Sequence, residues 1–408
     1  MKKESQITEL LRIGSNYYSL SMKIVFVSNY LNHHQIPLSE ELFKRCHGDY
    51  KFIATSEISE DRRNLGYQDF SDKPYLVKLT DSIQSQADII RIINDADVVI
   101  TGSAPDSLIQ ERIQSNKLTF RYTERWFKKR PWYFPDPRVW RSLYKNHIRY
   151  RNKQLYALAA SAYFANDAYA VGAYKNKIFK WGYFPQVKEY DSFDQLYEMK
   201  KSSKDICSIL WAGRFLDWKH PEAAIYVAER LKNAGCLFVL NIIGTGPLEE
   251  ELKLLVKKKN LEEEVQFLGS MSPDEVRTNM EESDIFLFTS DRNEGWGAVL
   301  NESMNSACAV IASNMIGAAP FLINDGNNGL LFRSGNWDEL FQKTKSLIED
   351  ENFRKQISYN AFETMLTLWN PKVAAERFFN LATSILENKN LSMYNEGPCS
   401  KAFLITNK

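Results

Sequence analysis

From Met22 onward the chain alternates short apolar runs with longer amphipathic ones. Runs at 23–28 (KIVFVS), 51–55 (KFIAT), 75–79 (YLVKL), 97–101 (DVVIT), 117–122 (KLTFRY) and 162–165 (AYFA) predict strands. Helical periodicity fills gaps between them, notably 81–94 and 105–115. A polar stretch of mixed charge, 186–205, interrupts the pattern and predicts a linker. The alternation then restarts more cleanly, with predicted strands at 207–213, 236–244, 264–269, 284–290, 309–313 and 329–332. Helices fit after Pro221, Pro247 and Pro273, because proline at a first helical position loses no hydrogen bond. Two βα-alternating halves of roughly 150–180 residues imply two doubly wound parallel sheets of the α/β class. The predicted division is an extension at 1–21, a first domain at 22–185, a linker at 186–204 and a second domain at 205–368. A last amphipathic helix at 369–390, expected to pack back on the first domain, precedes a tail at 391–408.

Composition adds constraints. The 408 residues are 44% hydrophobic and 25% charged, with a net charge of +1, a balance that argues against wholesale nucleic-acid binding. Five scattered cysteines (46, 207, 236, 308 and 399) show neither CxxC nor metal spacing and read as reduced thiols of a cytoplasmic protein. No apolar run approaches the roughly 20 residues of a membrane span.

In open α/β sheets ligands bind beyond the carboxyl ends of the strands, so the strand-to-helix turns of the second half carry the candidate chemistry. In the first, AGRFLDWKHPE, Arg214 and Lys219 stand five residues apart beside a helix start. Such a pair suits a pyrophosphate, and it equally suits surface cations lying over the sheet edge. The second, GTGPLE, places Gly244 and Gly246 where the backbone turns tightly or meets a ligand closely. The third is EGWGAVLNE, residues 294–302. Here Glu294 falls in the turn and a helix is expected from near Gly297. Unpaired N–H groups of Trp296, Gly297 and Ala298 would make an anion site. Glu302, one turn on, can point back to the same crevice; a capping acid and a solvated acid explain the pair as well.

EGWGAVLNE resembles the Glu-x7-Glu motif of retaining GT-B glycosyltransferases, specifically the family 4 pattern Glu-x-Phe-Gly-x4-Glu, with Trp296 in place of the usual aromatic. AGRFLDWKHPE resembles that family's Gly-Arg-x4-Lys turn, IIGTGPLEEEL its Gly-x-Gly-Pro loop and VQFLGSMSPDEV its Phe-Leu-Gly segment. The resemblance implies a GT-B fold, two Rossmann-like domains facing across a cleft, and a nucleotide-sugar substrate with no cofactor and no metal. It implies that Arg214 and Lys219 hold the donor diphosphate and that Glu302 accepts from the ribose hydroxyls. Glu294 would hold the transferred sugar, and the backbone of Gly295, Trp296, Gly297, Ala298 and Val299 would meet sugar and phosphate. The base would lie near Gly244, Gly246, Gly269 and Met271. Fixed cations aimed at a departing diphosphate are electrostatic preorganisation. An Asp-x-Asp at 95–97 sits where a helix runs into a strand and is set aside as a metal signature.

The first half matches less specifically. His33 and His34 follow the first strand and read either as acceptor or phosphate contacts or as solvated polar residues. Ser103 lies in another small strand-end loop. Glu124, after the fifth predicted strand, can accept a proton from an acceptor hydroxyl, or it can pair with Arg125. Residues 121–153 hold eleven Lys/Arg against Glu124 and Asp136, a net +9, interleaved with nine aromatics. That combination suits an anionic membrane surface or a diphosphate-lipid acceptor, or is a solvated basic face. With its first-half segments the chain resembles transferases of bacterial capsule and exopolysaccharide assembly. The expected activity is retaining transfer from a nucleotide-diphosphate sugar, UDP foremost, to a lipid-linked or oligosaccharide acceptor at the inner membrane face. A GT-B epimerase or hydrolase and a non-catalytic sugar-nucleotide-binding subunit are the alternatives.

Overall fold

The computed structural model describes residues 22–58, 69–79, 86–128, 136–201, 206–389 and 394–406. The expected extension at 1–21, Lys129 and Arg130 of the basic segment, and linker residues 202–204 lie outside them.

Seven parallel strands form the first sheet: β1 (Ile24–Ser28), β2 (Tyr50–Ala54), β3 (Leu76–Lys78), β4 (Val98–Thr101), β5 (Thr119–Thr123), β6 (Leu155–Ala159) and β7 (Ile178–Lys180). Their order is β3-β2-β1-β4-β5-β6-β7. The second sheet contains β8 (Cys207–Ala212), β9 (Phe238–Ile243), β10 (Val265–Gly269), β11 (Ile285–Phe288), β12 (Ala309–Ser313) and β13 (Leu330–Phe332), in the order β10-β9-β8-β11-β12-β13. β1, β4, β11 and β12 are buried along their whole length, which is why they read as continuous apolar runs. In each sheet the order reverses beside the first strand, at β1/β4 and at β8/β11, and these two crevices are where a doubly wound sheet takes its ligands.

All six strands expected in the second half are present. In the first half, AYFA at 162–165 is not a strand: Phe164 opens a helix, Phe164–Ala170, that buries Phe164, Ala165 and Ala168 at helical spacing. β6 is buried at every position but Tyr156, and the three-residue β7 is too short to show a period. The predicted helix at 105–115 divides into a 3-10 turn, Asp106–Leu108, and a short helix, Gln110–Gln114. Asp97 of the Asp-x-Asp accepts from the Lys23 backbone N–H at 2.8 Å, at the amino ends of the strands and away from both crevices.

The linker region contains a helix, Phe193–Lys201. The buried Lys200 ammonium fastens it to the second domain by donating to the carbonyls of Met280, Glu281, Ser283 and Ser306 at 2.7–3.1 Å. The helix Pro371–Leu386 lies against the helix Ile36–Arg45 of the first domain, with Phe378 edge-on to Phe120 at 5.1 Å. The tail then runs antiparallel to β7. Cys399 and Ala402 donate to Lys180 and Ile178, and Lys180 donates to Ser400, so the sheet edge is covered.

Candidate functional site

Two turns meet at the carboxyl ends of β8 and β11. The first descends from Ala212 through a 3-10 turn, Asp217–Lys219, into the helix Pro221–Asn233. The second leads from Phe288 to the helix Val299–Asn305. Thr289 joins them: its hydroxyl accepts from the Trp211 indole at 2.8 Å and donates to the Lys219 carbonyl at 2.7 Å. The Lys219 ammonium forms an ion pair with the Glu294 carboxylate, which also accepts from the Ser290 hydroxyl at 3.0 Å. Glu294 is only 11% exposed and Lys219 16%, so the pair is largely shielded from water. Behind it His220, in the left-handed region, hydrogen-bonds Glu222 at 2.9 Å and faces Asp291 at 3.8 Å. Those two acids push the imidazole up to about 9, so it is a cation at neutral pH.

A cavity of about 530 Å³ opens beside this pair, lined among others by Arg214, Lys219, Gly244, Met271 and Val299. Gly244 adopts φ +138°, and any side chain there would strike the Gly213 carbonyl. Gly246 packs on the backbone of Phe215, and Gly269 accepts the Gly244 N–H at 2.8 Å. The turns after β8 and β9 are thus seated on one another by bare backbone.

The helix after Glu294 begins at Val299 rather than near Gly297. Gly297 takes φ +92°, and a Cβ there would lie 2.6 Å from the Phe288 ring, so the chain passes over Phe288 before helical geometry begins. The N–H groups of Gly297, Ala298 and Val299 have no partner among the described residues. Glu302 donates its own N–H to Ala298 at 3.2 Å, and its carboxyl is pushed up to about 7 by burial, against the pull of Arg277. A native carboxyl that keeps its proton above the unfolded value of about 4.3 makes stability fall as pH rises from there to about 7. Glu302→Gln is expected to remove that slope. Thermal midpoints of both proteins at pH 5 and pH 8 should diverge, the variant gaining at pH 8; parallel pH profiles would contradict the assignment.

A second cavity, of about 620 Å³, occupies the β1/β4 crevice. It brings together His34, Ser103, Glu124 and Arg125, with Arg121, Lys128 and Tyr183 in the same wall. His33 lies outside the lining with its ring 3.9 Å from that of His34. Burial, helped by His33, pushes His34 down to about 3, so it is a neutral imidazole. Glu124 does not pair with Arg125. Its carboxylate is held by the Lys128 ammonium and, at 2.7 Å, by the Tyr183 hydroxyl, while Arg125 turns toward Asp167 and the Tyr163 ring. The Glu124 carboxylate also fills the space a side chain at Gly295 would need. The acid of one domain therefore touches the turn that carries Glu294 in the other.

Trp296 sits differently from its neighbours. Its ring is 1% exposed, packs on Gly182, and stands 6.0 Å from Trp369 and 6.4 Å from Phe321, with the indole N–H on Asn301 at 2.9 Å. The side chain belongs to the interdomain core, and only its backbone faces the turn. Sequence reasoning did not single out Ser290, His220 and Asp291, whereas the stretch 180–186, expected to line the interdomain cleft, contains Tyr183. Ser290 ends the buried run 284–290 and Asp291 directly follows it, a position that could have flagged them.

Two doubly wound parallel-sheet domains, seven-stranded and six-stranded, are the GT-B arrangement. Residues 198–364 match the family described as Glycosyl transferases group 1. One relative is the Campylobacter jejuni N-acetylgalactosamine-N,N'-diacetylbacillosaminyl-diphospho-undecaprenol 4-alpha-N-acetylgalactosaminyltransferase, 34% identical over 170 residues, 41% of this chain and 45% of that protein. Another is the amylovoran biosynthesis glycosyltransferase of Erwinia amylovora, 32% identical over 31% of this chain and 32% of that protein. The chain thus spans less than half the length of these relatives. The Anabaena protein HepE, crystallised with UDP, superposes with a TM-score of 0.68 at 15% identity, over 89% of this chain and 100% of that one. Sucrose-phosphate synthase of Thermosynechococcus elongatus gives 0.64 at 14% identity, over 90% and 100%. Among the described residues no helix is long and apolar enough to cross a membrane.

Proposed function

We propose that the protein transfers a sugar, with retention, from a nucleotide diphosphate to a saccharide carried on a lipid, in assembly of a cell-surface polysaccharide. The observation that carries this reading is the contact of Glu124 with Gly295, which sets the first-domain cavity against the turn bearing Glu294. In the proposal Arg214 and Lys219 neutralise the leaving diphosphate, so the reaction needs no metal. Glu294 holds the transferred sugar, Glu302 the ribose and the backbone at 295–299 the phosphate and sugar. Gly244, Gly246, Gly269 and Met271 surround the base. Glu124 takes the acceptor proton, with His33, His34, Ser103 and Arg125 on the acceptor side. UDP is the nucleotide proposed, as in the Anabaena structure of the same fold; the lipid-linked acceptor follows the Campylobacter relative's printed substrate. The helix Pro137–Asn146 and its continuation expose Arg138, Arg141, Tyr144, Lys145 and Arg149, a basic aromatic face suited to an anionic leaflet.

The test incubates purified protein with a panel of nucleotide sugars and an undecaprenyl-diphosphate saccharide, following products by mass spectrometry and anomeric configuration by NMR. One donor, UDP-linked, should give an acceptor-dependent product whose configuration matches the donor. Isomerised or hydrolysed donor regardless of acceptor would replace the reading with an epimerase or hydrolase. Binding without turnover would replace it with a non-catalytic subunit.

A further inference from the structure

Two arginines from opposite domains come near one another where the domains meet, and one of them, Arg125, lines the first-domain cavity. Arg125 follows β5, and its side chain is 6% exposed. Arg292 lies in the turn of Glu294 and reaches across the cleft to donate to the Phe127 carbonyl at 2.8 Å. Buried N–H groups are left over on both: Nε and Nη1 of Arg125, and Nε of Arg292. Arg121 also leaves a buried Nε over, but its charge is paired with Asp106 at 2.6 Å, and Lys128 pairs with Glu124. The carboxylate facing the two guanidiniums is Asp167, 3.8 Å from Arg125. It is already committed to the backbone N–H groups of Trp126 and Phe127 at 2.7 and 3.0 Å, and burial raises its carboxyl above the ordinary value.

Two like charges with unused donors in a desolvated junction call for an anion. We propose that Arg125 and Arg292 together bind a phosphate-class anion, the diphosphate of the lipid-linked acceptor, and that this anion holds the two domains closed. The inference rests on the acceptor proposed above and adds the group by which it is gripped. Guanidinium forks match phosphate oxygens two at a time, which an ammonium does not. Because the two forks belong to different domains, the anion is bound fully only when the cleft is shut, so acceptor capture and closure become one event. Glu124, one residue from Arg125, would then face the saccharide next to that diphosphate.

The experiment is calorimetric titration of the full chain with inorganic pyrophosphate and, separately, with farnesyl diphosphate. It is done in an R214Q/K219Q background so that the donor-side cations do not contribute. Binding is expected to persist in this background and to weaken at least tenfold on adding Arg125→Gln or Arg292→Gln. Tighter binding of the farnesyl compound marks a lipid-borne diphosphate; equal binding marks a free anion held by the same forks and overturns the assignment to the acceptor. Absence of binding in the background, or unchanged binding in both arginine variants, overturns the site. Loss with Arg125→Gln alone overturns the bridging of domains. If Arg125→Gln fails to fold, Arg292→Gln, which gives up one hydrogen bond to the Phe127 carbonyl and a longer-range attraction to Asp167, carries the test. Pyrophosphate binding to the native chain that is unaffected by R214Q/K219Q would instead count against the donor reading and leave this site standing.

Discussion

Glu294→Gln is expected to lower turnover by about 10²–10³-fold, the range seen when one preorganised electrostatic group is removed from an active site, while the protein keeps its fold. The substitution preserves the shape of the side chain and its hydrogen bond from Ser290 at 3.0 Å, but it removes the charge that pairs with Lys219. The ammonium remains in place, because the Lys219 carbonyl is fixed by Thr289 and its Nζ lies 4.6 Å above the Trp218 ring. The variant therefore keeps a cation for the diphosphate and loses the acceptor for the sugar hydroxyls. Under the proposed roles the loss should fall on kcat more than on KM, because a sugar no longer oriented against Glu124 reacts slowly even when bound. Initial rates over a range of donor concentrations, with a thermal midpoint as a folding control, decide the matter. Near-normal turnover in a folded variant would remove Glu294 from the site.

The placement of Glu294 was legible in the sequence for a simple reason. β8 and β11 are buried on both faces, so their apolar runs stop abruptly where the sheet ends, and the charged residues that follow stand at the switch point. The same logic locates Arg214, Lys219 and Gly244, all of which line one cavity. It fails where the determining contact is distant along the chain. Nothing near Glu124 in the sequence announces that its carboxylate meets Gly295, or that Arg292 reaches Phe127. Trp296 is the sharpest case: nothing beside it in the sequence announces that Gly182 and Trp369, far off along the chain, draw its ring into the junction. The strand pairing of 399–402 with β7 was invisible for the same reason, since a single bridge on a three-residue strand leaves no period.

Those distant contacts make a glycine the most sensitive point of the junction. Gly317→Ala is expected to destabilise the protein by about 1–3 kcal/mol, the cost of overpacking a site that cannot relax, and to depress turnover further than its stability loss explains. A Cβ at Gly317 would drive into the backbone carbonyl of Gly295 and come within 2.9 Å of the Ser161 hydroxyl. Neither neighbour can yield freely. The Gly317 carbonyl accepts from Ala162 of the first domain at 2.8 Å, and its N–H approaches the Glu294 carbonyl at 3.4 Å. Moving the 295 carbonyl therefore moves the turn that carries Glu294. Gly295→Ala makes the informative contrast, because there the obstacle is the end of the Glu124 side chain, which can swing aside. That variant should lose activity through displaced Glu124 with a smaller loss of stability. Denaturant midpoints and turnover measured on both variants separate the two: Gly317→Ala should lie lower in stability, and both should be impaired in transfer. A Gly317→Ala protein as stable as the native chain would show that the two domains do not meet here in solution as they do in this structure.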